Sequence, residues 1–137
     1  MRTLRALIAG LVVLVSVSCA RPTVTDCFLS VDERDVIGSY VFEMDLCDSL
    51  ASYDLYFYTR VDLGPDELAA TEDLPLRVRW IDPEGKRYEE TVYFPVRERP
   101  KALYRRDFVP ERPGMWKLEL NVREEIDELR GMGIVLE

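Results

Sequence analysis

Residues 74–94 read LPLRVRWIDPEGKRYEETVYF. Leu74, Leu76, Val78 and Trp80 alternate with Arg77 and Arg79, the period of a strand with one apolar face. Pro75 near the start suits an entry or edge position, because proline cannot donate to a sheet ladder. Asp82-Pro83-Glu84-Gly85 puts proline and glycine where a tight turn needs them. Tyr88, Val92 and Phe94 then share one face of the returning segment. Two period-2 arms joined by that turn predict a β-hairpin over Leu74–Phe94.

The same period recurs on both sides. Upstream, Tyr53–Leu63 (YDLYFYTRVDL) sets Leu55, Phe57, Val61 and Leu63 on one face and Tyr56, Tyr58 and Arg60 on the other. Gly64–Asp73, rich in acids and turn formers, reads as a loop. Ser39–Cys47 alternates Tyr40, Phe42, Met44 and Leu46 with Glu43, Asp45 and Cys47. Cys27–Val31 suits a short first strand, followed by an acidic turn at Asp32–Asp35. Downstream, Pro95, Pro100, Pro110 and Pro113 argue against a long helix, and Leu103–Val109 suits a short strand. Pro113-Gly114 turns into Met115–Val122, where Trp116, Leu118, Leu120 and Val122 alternate with Lys117, Glu119 and Asn121. Arg123–Arg130 (REEIDELR) reads as the one short helical turn, near the C-terminus, and Gly133–Glu137 as a final strand. About seven to eight short strands with turns at short, regular intervals predict an all-β fold, an antiparallel β-sandwich over residues 36–137. Trp80 and Trp116 fall on apolar faces and are expected in the core.

The N-terminus differs in kind. Met1–Arg5 carries two arginines and no acid, Ala6–Val17 (ALIAGLVVLVSV) is almost unbroken apolar sequence, and Ser18 precedes Cys19. A bilayer-spanning helix needs about 20 apolar residues, which this run does not reach. A basic start, a short apolar run and small residues before a cleavage point describe a secretory signal peptide over residues 1–18. A cysteine directly after it is the pattern of a bacterial lipoprotein, with Cys19 acylated as the first mature residue. An ordinary cleaved signal and an uncleaved anchor are the alternatives. Residues 19–35 would then hold the lipidated cysteine, a short tether and the first strand. No acidic run follows Cys19, which leans toward an outer-membrane lipoprotein facing the periplasm.

The whole chain carries a formal charge of −8, and loss of Arg2 and Arg5 with the signal takes it to −10. An acidic surface repels phosphate backbones, so no nucleic acid is expected as a partner. Attachment to the membrane would fall to the acyl chains, at about 0.8 kcal/mol per buried methylene.

The chain has no histidine. That removes the commonest general base, the usual zinc ligands and every His-dependent triad. No phosphate-binding loop, dinucleotide fingerprint or nucleophile elbow is present. Paired acids such as Glu89-Glu90 read as solvated faces, and the acidic loop Asp62–Asp73 lacks the spacing of a calcium loop. No catalytic residue, metal or cofactor is expected. Cys27 and Cys47 either form a disulfide, favoured in an oxidising envelope compartment, or stand as two thiols. The candidate interaction face is Tyr56, Tyr58 and Arg60, joined by Arg77 and Arg79 should the hairpin be its neighbour. Tyrosines beside arginines match the composition of a protein interface or a platform for stacking sugars. Routine cross-strand packing gives the same pattern.

With these segments placed, the chain resembles the gliding-motility lipoprotein family GldH of the Bacteroidetes over roughly residues 36–137. The resemblance rests on Tyr53–Arg60 (YDLYFYTR), Leu74-Pro75-Leu76, Asp82–Lys86 (DPEGK), Thr91–Pro95 (TVYFP), Pro113–Trp116 (PGMW) and Leu129–Glu137 (LRGMGIVLE), together with the signal. The sequence departs from the family at residues 96–109, which hold neither glycine nor tryptophan. The resemblance implies an accessory part in the envelope machinery of gliding or related secretion, acting through an envelope protein partner, and carries over no catalytic residue. The expected function is therefore that of a non-enzymatic envelope lipoprotein acting through protein contacts. The alternative is an anchored module that binds glycan or peptidoglycan.

Overall fold

The computed structural model describes residues 25–48, 50–124 and 126–137; the signal segment and Cys19 lie outside them. Eight strands follow in order: β1 (Thr25–Ser30), β2 (Tyr40–Leu46), β3 (Tyr53–Val61), β4 (Leu74–Ile81), β5 (Arg87–Phe94), β6 (Ala102–Phe108), β7 (Gly114–Val122) and β8 (Leu129–Leu136). They form two four-stranded antiparallel sheets, β1-β8-β3-β6 and β2-β7-β4-β5. This is the antiparallel sandwich that the period-2 segments predict.

The hairpin Leu74–Phe94 pairs along its full length, from Leu74↔Phe94 to Ile81↔Arg87. Its turn is tied by Asp82, whose carboxylate accepts from the backbone N–H of Glu84 at 2.9 Å and of Lys86 at 2.8 Å. Pro75 stands at the entry of β4, as expected, but β4 is a central strand flanked by β5 and β7. Its carbonyl accepts from the Arg123 N–H, so that end of the strand is not left open.

The inner faces carry the core: Leu55, Phe57, Met132 and Ile134 from one sheet meet Phe42, Leu76, Val78 and Leu118 from the other. An aromatic cluster joins the sheets. Trp80 on β4 lies 5.0 Å from Phe108 and 6.2 Å from Tyr104, both on β6, and edge-on to Trp116 at 6.0 Å. The Trp80 indole N–H donates to the Tyr104 hydroxyl at 3.2 Å, and that hydroxyl donates to Glu90. Burial, with the bond to Glu90, pushes the Tyr104 phenol up from its ordinary value. Both tryptophans are core residues, as read from their alternation.

Three expectations are corrected. Among the described residues the one α-helix is α1 (Pro65–Ala70), inside the segment read as a loop, and β8 begins at Leu129, within the segment read as a helical turn. The Pro65 ring at the first position suits a helix start, and Asp66 and Glu67 complement its dipole. The hairpin is not in the sheet of β3, so Arg77 and Arg79 do not adjoin Tyr56, Tyr58 and Arg60. Finally, Cys27 is an unbridged thiol, so the disulfide to Cys47 is not made. Cys27 shares its parity on β1 with Leu29, which packs against the core. Cys47 shares the outward parity of Glu43 and Asp45 on the other sheet. Strand alternation thus points the two thiols in different directions.

Register also sorts the connections into two ends. Thr25, Leu136 and Leu55 lie in one row and Tyr53 pairs with Phe108. In the other sheet Leu46 pairs with Gly114 and Ile81 with Lys117. The entry end therefore holds Thr25, the β2–β3, β4–β5 and β6–β7 connections and Glu137. The far end holds the connections leading into β2, β4, β6 and β8.

Candidate interaction face

The site is built on β8, the strand flanked by β1 and β3. Met132, Ile134 and Leu136 point into the core, so Gly131, Gly133 and Val135 occupy the outer row. Gly133 pairs with Phe28 on one side and Tyr58 on the other. With no Cβ in the way, both rings lie across the glycine track. Their centroids are 6.0 Å apart and their planes differ by 18°. The Arg60 guanidinium sits 4.8 Å from the Phe28 centroid, and the Lys101 ammonium 4.1 Å from the Tyr56 centroid. A cation over an aromatic face is stabilised by the ring quadrupole. Leu103 of β6 lies beside Tyr56 and completes the row.

Tyr58 is held at its tip. Its hydroxyl donates to the Asp26 carboxylate at 2.6 Å. Partial burial, then that bond and the Asp26 charge, push the phenol up to about 12, with Arg60 pulling the other way. The ordinary value is about 10. A phenol that keeps its proton longer when folded contributes nothing to the pH dependence of stability below about 10. Between about 10 and about 12 the folded chain holds the extra proton, so stability falls as pH rises through that window. Difference absorbance of the phenolate, parent minus Tyr58→Phe, is expected to show a late ionisation that Asp26→Asn moves to lower pH. An unmoved titration in Asp26→Asn would show that the bond does not hold the proton.

Tyr56, Tyr58 and Arg60 thus share one outer face, as their alternation predicts. Arg77 and Arg79 stand on the outer face of the other sheet. Arg77 pairs with Glu89 at 2.9 Å, and Arg79 bridges Glu89 and Glu119 at 3.7 and 3.2 Å. Glu89 and Glu119 stand opposite Arg79 in register and Arg77 meets Glu89 on the diagonal, cross-strand pairs worth about 0.2–1 kcal/mol each that neutralise one another. They form a solvated charge ladder and leave the aromatic face to the first sheet.

Phe28, Gly131, Gly133, Lys101 and Leu103 belong to the face although alternation within single segments did not single them out. A signal existed in the Gly-Met-Gly of the last strand beside the alternating Asp26 and Phe28. Among the described residues no group of three or more Cys, Asp or Glu side chains gathers as a metal-binding set. A polar cleft of about 280 Å³ opens at the far end between Arg34, Tyr40, Asp127 and Arg130, away from the aromatic face. Compared with protein-family models, with curated proteins and with solved structures, the chain matches none.

Proposed function

We propose that the chain is a non-enzymatic outer-membrane lipoprotein, acylated at Cys19. Its sandwich docks onto another envelope protein through the outer face of the β1-β8-β3-β6 sheet. The reading places it as an accessory component of envelope machinery of the gliding or secretion type, in keeping with the GldH resemblance. The observation that carries the docking reading is the ordered layer of Phe28, Tyr56, Tyr58, Arg60 and Lys101 on an otherwise acidic molecule. Aromatic side chains and arginine are the enriched components of interfaces, and here their conformational freedom is already spent on the glycine track and the cation–ring contacts.

A photocrosslinking side chain at Leu103, on this face, is expected to capture a stoichiometric envelope partner in cells. The same probe at Thr91, on the opposite face, is expected to capture none. Tyr56→Ala with Arg60→Glu should abolish capture in a chain that still folds cooperatively, its melting temperature lowered only by the loss of two cation–ring contacts, because neither side chain covers a glycine. Capture from Thr91 alone would move the interface to the charge ladder. Cys19→Ser should release the protein from the membrane fraction, and a mutant that still pellets with membranes would refute acylation there.

The near-coplanar rings of Phe28 and Tyr58 favour a second reading, a platform for glycan or peptidoglycan. Binding of the purified chain to peptidoglycan with no other protein present, lost in Tyr56→Ala with Arg60→Glu, would select it.

A further inference from the structure

We infer that the entry end of the sandwich is seated on the bilayer, with Leu50, Val109 and Met115 in contact with a zwitterionic lipid surface. This rests on the reading of Cys19 as the anchor and adds a second, non-covalent contact to it.

Three apolar side chains gather at the end where the chain enters. Met115 pairs with Asp45 near the end of β2, Leu50 lies in the connection that follows, and Val109 follows Phe108, whose partner Tyr53 closes that connection. They are 51, 95 and 56 % exposed. The Asp48 carboxylate accepts from the Leu50 N–H at 3.0 Å and sets that residue at the tip of its turn.

Tether length says what covers them. Five residues, Ala20–Val24, separate Cys19 from Thr25. At no more than about 3.6 Å per residue, the anchor lies within about 20 Å of the entry end. A nine-residue strand such as β3 spans about 30 Å. The tether is shorter than the sandwich is tall, so the far end cannot turn to the membrane while the entry end stays close to it. Charges at the entry end are partly matched within the molecule, Glu84 by Arg112 and Glu137 by Lys101. A chain of net negative charge suits a zwitterionic surface, met through apolar side chains.

The test uses the acylated full-length protein reconstituted in phosphatidylcholine vesicles whose acyl chains carry bromine. Trp80 and Trp116 are buried and supply a constant background. Tryptophan is placed singly by Leu50→Trp, Val109→Trp or, at the far end, Val36→Trp. Val36 is fully exposed and apolar, so it controls for hydrophobicity alone. The expected result is loss of most of the added emission at positions 50 and 109 and none at 36. Unquenched emission at 50 and 109 in protein that floats with the vesicles overturns the seat and leaves the anchor standing, as does burial of these positions against a second copy. Intact-mass measurement reports acylation of Cys19 separately: a chain that lacks it and does not float overturns the anchor and the seat together.

Discussion

Gly131→Val is expected to destabilise the domain by about 3–5 kcal/mol, a large part of the 5–15 kcal/mol that holds a typical domain together. On an open strand surface the same change would be neutral or favourable, because valine is a better strand former than glycine. The sign reverses here because of what lies over the glycine. A Cβ at Gly131 would come well inside 3.0 Å of the Leu29 backbone oxygen and the Phe28 ring. The ring can swing out, which exposes it and removes the seat of the Arg60 guanidinium. The carbonyl cannot move without β1 shifting off β8. Urea denaturation measures the effect: at a slope of about 2 kcal/mol/M, the midpoint should fall by about 2 M. Gly133→Val should cost less, about 1–3 kcal/mol, because its conflict is with the Tyr58 side chain rather than backbone. It should also release Tyr58 from Asp26 and bring the phenol down toward its ordinary value. A Gly131→Val protein as stable as the parent would show that β1 does not pack on β8 in this register.

That ordering was not legible in the sequence, although most of the sandwich was. Alternation over Tyr40–Leu46, Tyr53–Val61, Leu74–Phe94 and Trp116–Val122 identifies strands because each buries one face and wets the other. Alternation is local, however, and does not state which strands share a sheet. The connection after β3 carries the chain across to the second sheet, so Arg77 and Arg79 ended opposite the tyrosines rather than beside them. The segment Arg123–Arg130 misleads for a different reason. It is rich in helix formers, but propensity is a weak prior. Its last residues instead begin β8, with Leu129 opposite Val61 and the following Gly131 opposite Arg60 and Ser30.

The candidate face shows the same division. Tyr56, Tyr58 and Arg60 could be assigned a common side from their own spacing. Phe28 and the two glycines could not, because their role exists only after β1 and β3 flank β8. A glycine inside a strand marks a place where something approaches closely, and here the visitors are two aromatic rings from the neighbouring strands. The face is therefore a tertiary product of three separated segments, and its flatness depends on all three.

Trp116→Ala is expected to destabilise by about 3–5 kcal/mol, the usual range for removing a large core aromatic. The side chain is 4 % exposed and meets Trp80, Phe108 and Tyr88, so it touches strands of both sheets. Its indole N–H also donates to the Arg112 carbonyl at 2.8 Å. The alanine variant loses the inter-sheet contact and leaves a cavity where β6 crosses β4 and β7. Trp116→Phe separates the two contributions, since it keeps an aromatic ring and removes the donor. It should cost about 1 kcal/mol for the bond, with some repacking beyond that. The Arg112 bond steadies the β6–β7 connection that presents Val109, so the phenylalanine variant has a second expected effect. Amide hydrogen exchange should quicken at Val109, Glu111 and Arg112 while the core strands keep their protection. Uniformly faster exchange would mean that Trp116 acts only through global stability. Exchange confined to the connection would make the indole the link between the aromatic core and the end of the domain assigned to the membrane.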